Sequence, residues 1–190
     1  MSVKREEWGR YDGSYTQDCG LAAGMAAAAL LKVSPAESGL LIAASLLGSL
    51  VPDIDNRHSS ISRRFRLASV AVSMGQLLIR GISGLFPAKQ RNYIRSLIGH
   101  RGLTHSLCPV ALAAVLITVE PYVATGAVCD IVSHLVFDML AGGVPLFMPF
   151  STKRICLAHM KTGGVAEMLF RVILIMIFSY FGWEVFLWQR

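Results

Sequence analysis

Five apolar stretches, at 19–31, 38–52, 103–119, 122–141 and 168–188, punctuate a chain whose remaining segments carry most of its charge. Short proline-bearing connections, KVSPAE at 32–37 and TVEPY at 118–122, separate two pairs of these stretches. Such connections join neighbouring helices. The pattern predicts an all-α, polytopic membrane helix bundle of about five spans. A helix needs about 20 residues to cross a ~30 Å hydrocarbon core. The last stretch, MLFRVILIMIFSYFGWEVFLW, is long enough, and its Trp183 and Trp188 suit the outer interface. The first two are shorter and span only with their flanking residues. A sixth stretch, LASVAVSMGQLLIRGISGLF at 67–86, carries Gln76 and Arg80 within an apolar frame and reads as an interfacial helix. Residues 1–190 then form a single membrane-embedded domain. It has a polar N-terminal segment (1–17) without the apolar region of a signal peptide, and a cytoplasmic segment (53–102) holding the interfacial helix.

Composition agrees. Hydrophobic residues make up 54% of the chain and charged residues 16%, with a mean hydropathy of +0.53. Soluble domains are about 45–50% apolar and about 25% charged. The net charge of +6 does not point to nucleic acid, because the basic residues lie in connections and lack interleaved aromatics. Membrane lipids are the expected partners. With five spans, fifteen basic residues fall on one face: Lys4, Arg5 and Arg10, nine between Arg57 and Arg101, and Lys153, Arg154 and Lys161. The other face keeps Lys32 and Arg190. This asymmetry predicts a cytoplasmic N-terminus. Cys19, Cys108, Cys129 and Cys156 form no CxxC pair and read as small apolar side chains.

The same topology gathers chemistry at one depth. Asp53 and Asp55 end the second span, His100 and His105 begin the third, His134 and Asp138 close the fourth, and Glu167 opens the fifth. His134 and Asp138 are i,i+4 and share a helix face. An extended Asp53-Ile54-Asp55 places both carboxylates on one side, and a bend at Gly102 lets His100 and His105 converge. Ionisable groups at membrane depth are costly and mark function. Together they predict a centre for one or two divalent ions, with zinc favoured and manganese or iron as alternatives, held by Asp53, Asp55, His100, His105, His134 and Asp138. Such a centre acidifies water and polarises carbonyl or phosphoryl oxygens. Arg101 and Glu167 are the candidate catalytic side chains. Arg101 and Arg64 are candidates to hold an anionic group. No GxSxG elbow or Cys–His pair offers a covalent nucleophile.

GSLVPDIDNRHS, GHRGLTHSL and SHLVFDMLAGGVPLFMPF, in that order over roughly 45–170, resemble the bacterial membrane-bound, metal-dependent hydrolases of the YdjM-like, LexA-regulated family. KTGGVAE (161–167) is similar to that family's TGS-like segment ending in Glu. The resemblance implies a multi-pass inner-membrane hydrolase. It carries Asp53, Asp55, His100, Arg101, His105, His134 and Asp138 over as functional positions, with Gly143 and Pro145 in the closing turn. The chain departs from the pattern at YTQDCGLAAG, which lacks an early histidine and offers only Asp18 or Cys19 in its place. It also has Asn56 where His follows PDID, and a longer insertion at 67–95.

The expected activity is hydrolysis of an ester or phosphoester, lipid-borne, at the cytoplasmic face. The rival readings use the same His/Asp cluster for cation or proton transport, or as a structural metal site in a scaffold. A lipid-phosphate phosphatase would share HxxxD but needs a PSGH-type motif that is absent.

Overall fold

A computed structural model describes residues 14–48, 66–99, 101–158 and 164–185. The described residues are helical as the pattern predicts: α1 (Ser14–Leu31), α2 (Pro35–Gly48), α3 (Arg66–Ser83), α4 (Ala88–Leu97), a 3-10 turn (Leu103–His105), α5 (Leu107–Leu116), α6 (Pro121–Ala141) and α7 (Val165–Trp183). A lone antiparallel bridge joins Val144 to Ile155 in the loop after α6.

Local chemistry sets the ends. Ser34 and Glu37 form a reciprocal cap on α2: the Ser34 amide donates to Glu37 Oε2 at 2.8 Å, and the Glu37 amide to Ser34 Oγ at 3.4 Å. Ser106 caps α5 by accepting from the Cys108 amide at 3.1 Å. Pro121 starts α6, where its missing N–H costs nothing.

α6 is the hub. It packs against α1, α2 and α5, while α7 leans on α1 and α3 pairs with α4. The crossings run over small residues. A Cβ on Gly24 would lie 2.8 Å from Ser45 Cβ, and one on Gly126 would lie 3.0 Å from Ala44 Cβ. Ser45 Oγ donates across the α1–α2 crossing to the Gly20 carbonyl at 2.5 Å. Lipid is as apolar as leucine, so membrane helices associate through such close approach rather than by hiding apolar surface.

The burial pattern departs from that of a soluble domain. His105, Asp130, Ser38 and Ser45 are fully buried, whereas Leu67, Leu112 and Met168 are 88%, 68% and 69% exposed. Water-soluble chains do not leave large apolar patches outside and carboxylates inside.

The number of spans is not carried by helix length. Among the described residues, α6 alone is long and apolar enough to cross a membrane; its 21 residues rise about 31 Å. The run at 103–119 is not one helix. Its 3-10 turn leaves α5 only ten residues, about 15 Å, half of a hydrocarbon core. The stretch 67–86 forms an amphipathic helix ending at Ser83, followed by a second helix, α4, that the hydropathy pattern does not announce. The cysteines differ as well: Cys19 is buried, but Cys156 is exposed, and its thiol donates to the Ala158 carbonyl at 2.9 Å.

Candidate metal centre

His134 and Asp138 stand one turn apart on α6, near its C-terminal end and facing inward. His105 arrives from the 3-10 turn. The backbone that delivers it is tightly folded: Arg101 has φ +56°, and a Cβ on Gly102 would come within 2.7 Å of the carbonyl oxygens of Leu97, Gly99 and Ser96. Only glycine fits there. Gly102→Ala is therefore expected to open the turn and destabilise the protein by about 1–3 kcal/mol. Thermal unfolding in detergent followed by circular dichroism measures it, with no change in melting temperature as the contrary result.

The loop after α6 closes the site from the other side. Gly143 takes φ +82°, a left-handed conformation suited to glycine. Val144 and Ile155 exchange backbone hydrogen bonds at 3.0 and 2.9 Å, and the Leu107 amide donates to the Leu146 carbonyl at 3.0 Å. These bonds fix the loop to the start of α5, beside His105. Gly143 and Pro145 thus occupy the closing turn, as the resemblance implies.

The geometry centres on Asp138. Its Oδ2 lies 3.2 Å from His105 Nε2 and 3.5 Å from His134 Nε2. Its Oδ1 accepts from Arg101 Nη2 at 2.7 Å. One oxygen thus serves a guanidinium and the other faces two imidazoles. The two rings meet edge to face, with centroids 5.4 Å apart. All three donor atoms lie within 4.8 Å of one another.

These residues fit a divalent ion. With bonds of about 2.0–2.1 Å, a tetrahedral zinc holds its ligands about 3.3–3.4 Å apart. The 3.2 and 3.5 Å separations bracket that value. Thr104 Oγ1 is 3.1 Å from His105 Nδ1; in the tautomer that leaves Nε2 free to ligate, Nδ1–H donates to this hydroxyl. Partners of this kind orient a ligating imidazole.

Of the expected site residues, the fold brings together Arg101, His105, His134 and Asp138. Asp53, Asp55, His100 and Arg64 lie outside the described residues. Glu167 is the third residue of α7, and its side chain also lies outside them. The Arg101 guanidinium pairs with the Asp138 carboxylate, and its side chain is 18% exposed. Two residues were not anticipated. Thr104 is the neighbour of His105 described above. Asp130, fully buried one turn before His134, sits where a Cβ on Gly20 or Gly48 would meet its carboxylate. The spacing Asp130, His134, Asp138 (i, i+4, i+8) was the sequence signal for it.

The family model described as YdjM inner membrane protein matches residues 18–190. The chain is also similar to the uncharacterized protein YvsG of Bacillus subtilis (strain 168). The two are 28% identical over 152 residues, covering 77% of this chain and 81% of YvsG. No solved structure matches the chain.

Proposed function

The chain belongs to the YdjM inner membrane protein family, and from that premise we propose that it is a metal-dependent hydrolase acting on an ester or phosphoester of a lipid at the cytoplasmic face. The observation that carries this reading is the convergence of two imidazole nitrogens on one carboxylate oxygen inside a largely apolar bundle. Among the described residues three donors converge, the number of protein ligands found in catalytic zinc sites. A divalent ion bound there supplies Lewis acidity toward a carbonyl or phosphoryl oxygen and acidifies water.

The protein's own groups do the rest. His105, His134 and Asp138 hold the ion, and Thr104 sets the His105 ring. Arg101 restrains Asp138 through its 2.7 Å ion pair and is the proposed guanidinium that faces an anionic substrate group. Asp53, Asp55 and His100 are the proposed donors to a second ion, and Glu167 is a proposed proton carrier. The proposed topology has five spans and a cytoplasmic N-terminus, supported by the basic asymmetry of the connections. Reporter fusions after Arg101 and Lys161 test it: both are expected to report cytoplasm, and a periplasmic signal at either reverses the assignment.

The direct test is elemental analysis of the detergent-purified protein beside a His105→Ala/His134→Ala variant, with hydrolysis of a phospholipid panel measured on both. The expected result is about one or two equivalents of zinc, manganese or iron with hydrolysis, both lost in the variant. Equal metal in the two proteins removes the ligand assignment. Metal without hydrolysis of any phospholipid favours a structural or transport site.

A further inference from the structure

A cavity of about 270 Å3 lies beside the metal centre, between α3 and the segment from Leu97 to Thr104. α3 contributes Val72, Gly75, Gln76 and Ile79 to one wall, and the other ends at Leu103 and Thr104. The lining is apolar except for Gln76 and Thr104. Ligand pockets of this character carry few polar groups.

Two features say what fills it. The first is its polar end. Thr104 lines the cavity and also stands 3.1 Å from His105 Nδ1, so the cavity ends one side chain from the cluster. The second is the design of α3. Leu67, Val70, Met74, Leu78 and Ile82 form one exposed apolar stripe at helical spacing. Val72, Gly75, Gln76 and Ile79 form the cavity wall about a third of a turn away around the same helix, with Gly75 adjoining the stripe. An amphipathic helix with such an outer stripe rests in the membrane interface. A hydrocarbon chain can pass from that lipid-facing stripe into the cavity without crossing water.

We infer that this cavity binds a hydrocarbon chain of the lipid substrate and so brings the lipid's ester or phosphoester to His105, His134 and Asp138. The inference rests on the hydrolase reading for the word substrate, and on the cavity alone for chain binding. Gly75 is the key position. A Cβ there meets nothing within 4 Å, so a larger side chain enters the cavity instead of forcing the helix apart.

The experiment uses the full chain in detergent micelles and a phospholipid carrying a photoreactive diazirine in its acyl chain, with labelled residues mapped by mass spectrometry. Labels are expected between Val72 and Ile79 and between Leu97 and Thr104. Gly75→Phe is expected to lower that labelling roughly tenfold or more, given the worth of each buried methylene, and to leave metal content unchanged. Unlabelled phospholipid is expected to compete, whereas glycerophosphate, with the polar group but no chain, is not. This competition decides the matter even if Gly75→Phe folds poorly. Labels confined to Leu67, Met74 and Leu78, labelling undiminished in Gly75→Phe, or equal competition by glycerophosphate would each overturn the inference. Loss of the hydrolase reading looks different: the cavity still labels, but no hydrolysis is found.

Discussion

Asp138→Ala is expected to strip the protein of metal and to lower its stability, because one carboxylate holds the centre together. Its Oδ2 faces His105 and His134, and its Oδ1 accepts from Arg101 at 2.7 Å. Removing it deletes the 2.7 Å ion pair with Arg101, whose side chain is 18% exposed. Breaking a buried pair from one side costs about 3–5 kcal/mol. The partial exposure of Arg101 places this case at the lower end. Asp138→Asn keeps the shape and separates the two effects: metal affinity falls, while most of the packing survives. The double variant Arg101→Gln/Asp138→Asn completes a mutant cycle that isolates the Arg101–Asp138 pair, and its stability loss is expected to be smaller than the sum of the two single losses, without recovery of metal. Melting temperature and metal competition with a chelator read the two quantities independently. Full metal occupancy in Asp138→Asn would show that the carboxylate is not a ligand. Additive losses in the cycle would show that the ion pair is not the source of the cost.

Gly126→Leu is expected to do nearly as much damage from a position that touches none of the ligands. Gly126 lies two turns before His134, where α2 crosses α6. A Cβ there would lie 3.1 Å from the Leu41 carbonyl carbon and 3.0 Å from Ala44 Cβ. Backbone cannot step aside as a flexible side chain does, so α2 must move. Even Gly126→Ala is expected to cost about 1–3 kcal/mol through overpacking. With leucine the helices separate and α6 loses the neighbour that aligns its ligands, so metal retention falls with stability. Gly39→Ala is the control, because a Cβ at that helical position meets nothing within 4 Å. It is expected to be neutral or to stabilise by up to about 1 kcal/mol through helix propensity. Equal stability of the Gly126 and Gly39 variants would show that the α2–α6 crossing does not depend on close approach.

The sequence by itself determined what repeats along the chain. The apolar runs fixed the all-helical class, and i,i+4 spacing fixed His134 and Asp138 on one face, because an α-helix returns to the same side every 3.6 residues. The Asp130 carboxylate obeys the same rule and was legible in principle. The bend expected at Gly102 is present in the backbone, and the closing turn that the resemblance implies at Gly143 takes φ +82°. Tertiary structure decided what crosses between elements. The apolar run at 103–119 does not say that it breaks into a 3-10 turn and a ten-residue helix, because hydropathy measures solvent preference and not backbone direction. The ion pair between Arg101 and Asp138 is likewise tertiary: the turn at φ +56° brings together two residues 37 positions apart. The span count is not settled by helix length, for a related reason. Charge and hydropathy bias topology, but α6 alone among the described residues has the length to cross unaided. The cavity at Gly75 was not legible at all: it exists only where α3 meets the 97–104 segment, and no local rule sets the gap between two packed elements.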